Sequence, residues 1–214
     1  MIIVKEGYPA VIVSFVIGLI LLYSTFFFDV LLISILGILC IFVSFFCLYF
    51  FRDPKIKIIG NCNLILSPCS GTILDITENE SEKIIRVFLS ILDVHLQRSP
   101  ISGKVIKVEH KYGKFLKAMK PQAHLLNEQN IIAIKNKDGE YIIKQIAGIF
   151  ARRCISWVKC GDILNMGDKI GLIKFGSQVD LHMPKKVNVK VKVGDKVVSG
   201  VTIFAILHDK VLLQ

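Results

Sequence analysis

Val191-Lys192-Val193-Gly194-Asp195, with Gly200 and Ile203 behind it, repeats a pattern found 33 residues earlier in Val158-Lys159-Cys160-Gly161-Asp162, with Gly167 and Ile170. A second pair lies 32 residues apart: Ser67-Pro68-Cys69-Ser70-Gly71-Thr72-Ile73 and Ser99-Pro100-Ile101-Ser102-Gly103-Lys104-Val105. A short apolar run, a Gly-Asp turn and a later glycine, used twice, mark a strand–turn–strand unit used twice. Val187–Val193 alternates apolar and polar residues, the period of a half-buried strand. Ile131–Ile134 and Tyr141–Ile146 flank Asp138-Gly139, a hairpin turn signal. Thr72–Ile76, Ile84–Leu89, Lys104–Glu109, Lys169–Phe175 and Val201–Leu207 read as further strands, and Pro121–Gln129 as a short helix. The chain after Pro54 is therefore expected to be mainly β, a sandwich or barrel.

The V-x-x-G-D hairpins resemble those of biotinyl- and lipoyl-type β sandwiches. A carrier domain needs a modifiable lysine at a hairpin tip between Met or Ala neighbours. The sequence has none, so the resemblance concerns architecture alone.

The first 51 residues are of another kind. Ala10–Phe28 and Val30–Phe51 are two uncharged apolar runs separated by Asp29, each near the ~20 residues that span a bilayer as a helix. They read as a retained N-terminal membrane anchor over 1–51, a hairpin turning around Tyr23–Asp29, rather than a cleaved signal peptide. Lys5 precedes the pair and Arg52, Lys55 and Lys57 follow it, so both ends and the 52–214 domain are expected on the cytoplasmic side of the cell membrane.

The chain has a mean hydropathy of +0.59 and a net charge of +10, and the charge lies almost wholly beyond the anchor. All but one of its 27 basic residues and all but two of its 17 acidic ones follow residue 51, leaving that part at net +11. Such a domain is drawn to anionic lipid headgroups. Its lysines are scattered along strands rather than gathered on a helix, so nucleic acid is not expected as a partner. The six cysteines form no C-x-x-C and no zinc spacing with histidine, so no metal is expected and the thiols are read as reduced.

Phe175-Gly176-Ser177-Gln178-Val179-Asp180 carries the chemistry. Glycine allows a strained backbone in which the next hydroxyl turns back onto the preceding carbonyl. Alone, this is also an ordinary Gly-Ser turn.

Several segments in order resemble the short bacterial and archaeal form of phosphatidylserine decarboxylase. Phe50-Phe51-Arg52-Asp53-Pro54 is similar to its F-F-R-D-P, and Ser67-Pro68-Cys69-Ser70-Gly71 to its S-P-A-D-G. Asp93-Val94-His95-Leu96-Gln97-Arg98-Ser99-Pro100 is similar to its D-V-H-x-N-R-x-P, with Gln97 where asparagine is usual. Gly113-Lys114-Phe115, Asn127-Glu128-Gln129-Asn130, Gln145-Ile146-Ala147-Gly148, Ala151-Arg152-Arg153 and Gly171–Asp180 complete the series.

The resemblance implies a proenzyme that cuts itself between Gly176 and Ser177 into a 1–176 β chain and a 177–214 α chain, which stay together as an αβ heterodimer. It implies a covalent pyruvoyl cofactor made from Ser177. The pyruvoyl ketone takes the serine headgroup of phosphatidylserine as a Schiff base, and loss of carbon dioxide leaves phosphatidylethanolamine. His95 is the candidate for proton transfer, since it alone among His95, His110, His124, His182 and His208 stands in a D-V-H context; His182 is an outside candidate. Arg98, Arg152 and Arg153 are candidates for holding phosphate or carboxylate. The family's S-P-A-D-G aspartate is replaced by Ser70, which leaves Asp93, Asp180 and Ser70 itself as candidates for assisting the cut. Three readings stay open beside this one: an archaetidylserine decarboxylase, a membrane-tethered serine peptidase using Ser177 with a lysine base, and an unprocessed, non-catalytic membrane-anchored module.

Overall fold

The computed structural model describes residues 3–28, 30–58, 61, 63–116, 122–148, 153–174 and 177–207. It comprises two compact units, Met1–Lys55 and Ile56–Gln214.

In the first unit, α1 (Tyr8–Ser24) and α2 (Leu31–Phe50) form a hairpin with the turn where the sequence places it. Both are long and apolar enough to cross a membrane. They approach through small residues: a side chain at Gly18 would strike Ile41, and one at Gly37 would strike Leu22. Ser44 Oγ donates to the Val11 carbonyl across the pair, at 2.9 Å.

The second unit is built from strands. In chain order they are β1 (Leu64–Leu66), β2 (Gly71–Glu78), β3 (Glu82–Leu89), β4 (Leu96–Arg98), β5 (Gly103–Lys111), β6 (Gln129–Asn136) and β7 (Gly139–Ala147). They continue as β8 (Cys154–Ser156), β9 (Ile163–Leu164), β10 (Lys169–Ile173), β11 (Ser177–Pro184), β12 (Asn188–Val189), β13 (Lys196–Val197) and β14 (Ile203–Ile206). One short helix, α3 (Ala123–Leu126), precedes β6. An eight-stranded antiparallel sheet runs β13-β2-β3-β11-β7-β6-β5-β9, and two three-stranded sheets run β1-β14-β12 and β4-β10-β8.

These orders show an internal duplication. The large sheet reads alike from both ends when β13 is matched with β9, β2 with β5, β3 with β6 and β11 with β7; the two small sheets correspond in order, β1 with β4, β14 with β10 and β12 with β8. One half is continuous, β4 to β10. The other is β1–β3 with β11–β14, so the continuous half is inserted between β3 and β11. The repeats seen in the sequence are its local trace. Ser67 Oγ donates to the Cys69 carbonyl and Ser99 Oγ to the Ile101 carbonyl, both at 2.6 Å. Asp195 accepts from the Lys192 N–H and Asp162 from the Lys159 N–H, both at 2.9 Å. Gly194 and Gly161 close these turns at φ of +91° and +99°, values L side chains rarely adopt.

The core lies on one face of the large sheet. Val87, Ile132, Ile143, Val179 and Leu181 meet Ile65, Ile170 and Phe204 there, all fully buried. Burial of each such side chain is worth roughly 1.5–3 kcal/mol.

Three elements depart from the sequence expectation. The Val187–Val193 run pairs only over Asn188–Val189, because Lys192 and Gly194 donate their N–H groups to the turn and to Ile73 instead. Of the helix expected over Pro121–Gln129, Pro121 lies outside the described residues and Ala123–Leu126 is helical; the Asn127 side chain bonds both backbone groups of Leu116 and draws the chain out of helix there. β11 is a strand beyond those expected: Gln178–Met183 alternates polar and apolar residues, but both faces are buried, with Gln178, Asp180 and His182 opposite Val179, Leu181 and Met183.

Candidate active site

Ser177 opens β11 and pairs with Leu89 of β3 on one side and Ala147 of β7 on the other. Strand alternation puts it on the core face with Val179 and Leu181. Its hydroxyl is buried and makes no hydrogen bond to any described residue. A hydroxyl left so costs ~1–3 kcal/mol, which folding does not tolerate without a reason.

His95 comes from the turn that leaves Leu89, the cross-strand partner of Ser177. Asp93 shapes that turn: its carboxylate accepts the Ser90 N–H at 2.8 Å, and its N–H donates to the Ser90 carbonyl at 2.9 Å. The Asp93 carbonyl lies 3.0 Å from His95 Nδ1. A carbonyl only accepts, so Nδ1 carries the hydrogen and Nε2 is the basic nitrogen of the neutral ring. The His95 carbonyl accepts from the Ile173 N–H at 3.3 Å, which ties the fully buried histidine to the strand leading into residue 177.

A line of buried amides runs under this point, none of it assigned a role from the sequence. Gln97 Nε2 donates to the His95 carbonyl at 2.6 Å, and Gln145 Nε2 donates to Gln97 Oε1 at 2.8 Å. Asn130 Nδ2 donates to Gln145 Oε1 at 3.1 Å, and His110 Nδ1 meets Asn130 Oδ1 at 2.6 Å. His110 Nε2 is 3.7 Å from Glu128 Oε1. Gly171 makes room for the line: a side chain there would strike Gln145 Nε2. Gln97 and Gln145 are fully buried. The legible signal was their place in family-like motifs, not any pattern of burial.

The other candidates fall in different places. Ser70 Oγ accepts the Ser199 N–H at 3.0 Å, as Ser102 Oγ accepts the Met166 N–H at 2.9 Å in the other half. Asp180 lies on the opposite face of β11 from Ser177, where Gln178 Nε2 donates to it at 2.6 Å and Arg86 Nε stands 3.6 Å away. Arg98 is buried and donates to the Gly167 carbonyl at 3.1 Å, holding a turn. Arg153 is exposed, and its carbonyl accepts the Lys174 N–H at 3.3 Å. His182 bonds Glu82 at the far end of the strand, 2.9 Å away. Gly176 and Arg152 lie outside the described residues. Burial, with the charges of Asp180 and Asp93, holds the Cys69 thiol well above its usual range. Burial and then Glu128 push Cys154 up to about 12. Neither offers a thiolate nucleophile.

Residues 43–205 match the family model for phosphatidylserine decarboxylase. The chain belongs to the phosphatidylserine decarboxylase family. It is 38% identical to the phosphatidylserine decarboxylase proenzyme of Wolbachia sp. subsp. Brugia malayi (strain TRS), with 96% of this chain and 91% of that protein covered. With the proenzyme of Carboxydothermus hydrogenoformans it shares 43% identity over 78% of this chain and 83% of the relative. With that of Geotalea uraniireducens (strain Rf4) it shares 34% identity, 96% of both being covered. Phosphatidylserine decarboxylase membership thus spans both the decarboxylase unit and, in the longer matches, the apolar helices.

Proposed function

We propose that the chain is a self-processing decarboxylase that converts phosphatidylserine to phosphatidylethanolamine with a pyruvoyl group made from its own Ser177. The observation that carries this reading is the buried Ser177 hydroxyl, without a hydrogen bond among the described residues, at the head of a strand in a family of proenzymes.

Ser177 Oγ adds to the Gly176 carbonyl; the peptide C–N bond breaks as the ester C–O bond forms, and the hydroxyl proton passes to the nitrogen. Loss of the Ser177 α-proton expels the Gly176 carboxylate and leaves dehydroalanine. Hydrolysis of its imine tautomer releases ammonia and leaves the pyruvoyl group at the head of 177–214. That group supplies a carbonyl that takes up the headgroup amine and draws off the electron pair left as carbon dioxide departs.

The remaining work falls to the chain's own residues. His95, held by the Asp93 carbonyl with Nε2 as its basic nitrogen, returns a proton to the α-carbon. The closed core around it keeps water from competing for the same position. The basic unit lies on anionic lipid, tethered by the two apolar helices on the cytoplasmic side of the membrane. A peptidase reading fits less well, since the Ser177 hydroxyl makes no hydrogen bond to a lysine base among the described residues.

Intact mass spectrometry of the wild type beside Ser177→Ala tests the reading. The expected wild-type product is two fragments, with the small one blocked at its first residue and lighter than its serine-headed form by one ammonia. Ser177→Ala stays whole. A wild-type chain that also stays whole ends the proposal; carbon dioxide release from phosphatidylserine by the cut protein then fixes the substrate.

A further inference from the structure

We propose that the end of the eight-stranded sheet where Ser177 lies is the surface this unit lays on an anionic phospholipid bilayer, with Ile91, Leu92, Tyr112, Phe115, Leu125 and Leu126 entering the interfacial layer. The inference deepens the phosphatidylserine reading and rests on it for the nature of the surface.

Register brings these side chains to one place. Ser177 pairs with Leu89 and Ala147, Ile146 pairs with Gln129, and Gln129 pairs with Lys111. The turn after Leu89, the residues that follow Lys111 and those that precede Gln129 therefore leave the sheet at the same end. They project Leu92 at 58% exposure, Tyr112 at 90% and Leu125 at 69%, with Ile91, Phe115 and Leu126 also exposed. The turns at the opposite end, around residues 79–81, 137–138 and 185–186, expose no large apolar side chain among the described residues. Among the described residues, Ile163 on the edge strand β9 is the exposed apolar side chain at that end, against the six gathered around the Ser177 end.

Charge distinguishes a bilayer from a protein partner. Exposed Lys111 and Lys114 flank Tyr112 and adjoin Phe115 along the chain. The acids nearby are engaged: Asp93 by the Ser90 N–H, Glu109 by Lys107 at 2.7 Å, and Glu128 buried facing His110. Lysine is depleted from the centre of protein interfaces. Lysines interleaved with aromatic and leucine tips suit the headgroup boundary of an anionic membrane. The tips surround the place to which a lipid headgroup must be brought.

The test uses the full chain in vesicles of phosphatidylcholine and phosphatidylglycerol. In a Trp157→Phe background, which removes the only native tryptophan, a single tryptophan is placed by Leu92→Trp, by Phe115→Trp, or by Lys137→Trp at the opposite end. With lipids brominated near the headgroup, Leu92→Trp and Phe115→Trp are expected to lose more than about half their fluorescence and Lys137→Trp almost none. Equal quenching at all three sites, or none at the first two, overturns the proposal. Absence of quenching with cross-linking between copies through this face would assign it to a second copy of the chain instead.

A kinetic arm needs no new fluorophore. Phe115→Asp with Leu125→Asp is expected to raise KM for phosphatidylserine in vesicles roughly tenfold and leave kcat on a soluble short-chain analogue unchanged. Equal loss on both substrates, or on neither, overturns it. The quenching requires no catalysis, so an inactive or uncut wild type refutes the functional reading without touching this one.

Discussion

Ser177 pairs with Leu89 at the strand end where, in the other half of the domain, Gly139 pairs with Asn136 across a two-residue turn. The continuous half, residues 96 to 173, thus leaves and rejoins the chain where a hairpin would otherwise close. The proposed cut lies at that junction, so it severs a connection and no strand pairing.

The severed chains should therefore stay together. β11 keeps its register with β3 along its whole length, and Val179, Leu181 and Met183 remain buried in the core. Native mass spectrometry of the processed protein in detergent is expected to give one species containing both fragments, separated only by denaturant. Fragments that part on dilution would refute this account of the fold.

Ser70 is already employed: its hydroxyl accepts the Ser199 N–H, as Ser102 does for Met166. Removing either acceptor is expected to cost about 1 kcal/mol in denaturant unfolding, for Ser70→Ala and Ser102→Ala alike. Ser70→Asp keeps an acceptor in the same place and adds a base. Cleavage followed by mass spectrometry should quicken about tenfold or more if base assistance limits the cut. An unchanged rate would assign proton removal to another group.

The duplication was legible in the sequence because its turns need Gly, Asp and Ser at fixed spacing, and Gly161 and Gly194 require positive φ whatever surrounds them. The two helices were legible because twenty apolar residues have few other fates. β11 was not. Gln178–Met183 does alternate polar and apolar residues, but directly after a Gly-Ser pair the stretch also reads as a turn, and alternation does not reveal that Gln178, Asp180 and His182 are buried as well. The amide line was hidden for a related reason. Gln97, Gln145 and Asn130 are far apart in the chain, and only the register of β4, β7 and β6 makes them neighbours. Ser177 and His95 were singled out by motif. The departure of Asp180 to the opposite face follows from strand parity, which a chain not recognised as a strand does not reveal.

His95 separates the two reactions. Its ring is oriented by the Asp93 carbonyl, and its assigned proton transfer comes after the cut. His95→Gln is expected to yield processed chains and to lower carbon dioxide release by ~100-fold or more. An uncut variant would place the histidine in processing instead.

Gln97 and Gln145 should behave as one unit. Gln145→Leu leaves Gln97 Oε1 and Asn130 Nδ2 without this partner and is expected to cost ~1–3 kcal/mol. Gln97→Leu should cost a similar amount. The double variant should lose less than the sum of the two, with a coupling of ~0.5–3 kcal/mol in denaturant unfolding. Strict additivity would mean that the bond at 2.8 Å carries no energy of its own.

His182 gives the domain a built-in acid sensitivity. Burial pushes its proton affinity below the ordinary value of 6.5, outweighing the Glu82 hydrogen bond that pulls the other way; Lys144 lowers it further and Asp180 opposes. The unfolded chain therefore takes up this proton first as the pH falls. Its contribution is fully present above pH 6.5 and is lost as the pH drops from there towards the lowered folded-state value. His182→Gln, which cannot take up that proton, is expected to flatten the stability–pH curve below 6.5 while leaving its shape above 6.5 unchanged. Unfolding midpoints measured at intervals from about pH 7.5 to about pH 5 would decide it. A curve that keeps its full slope in the variant would move the sensitivity to another group.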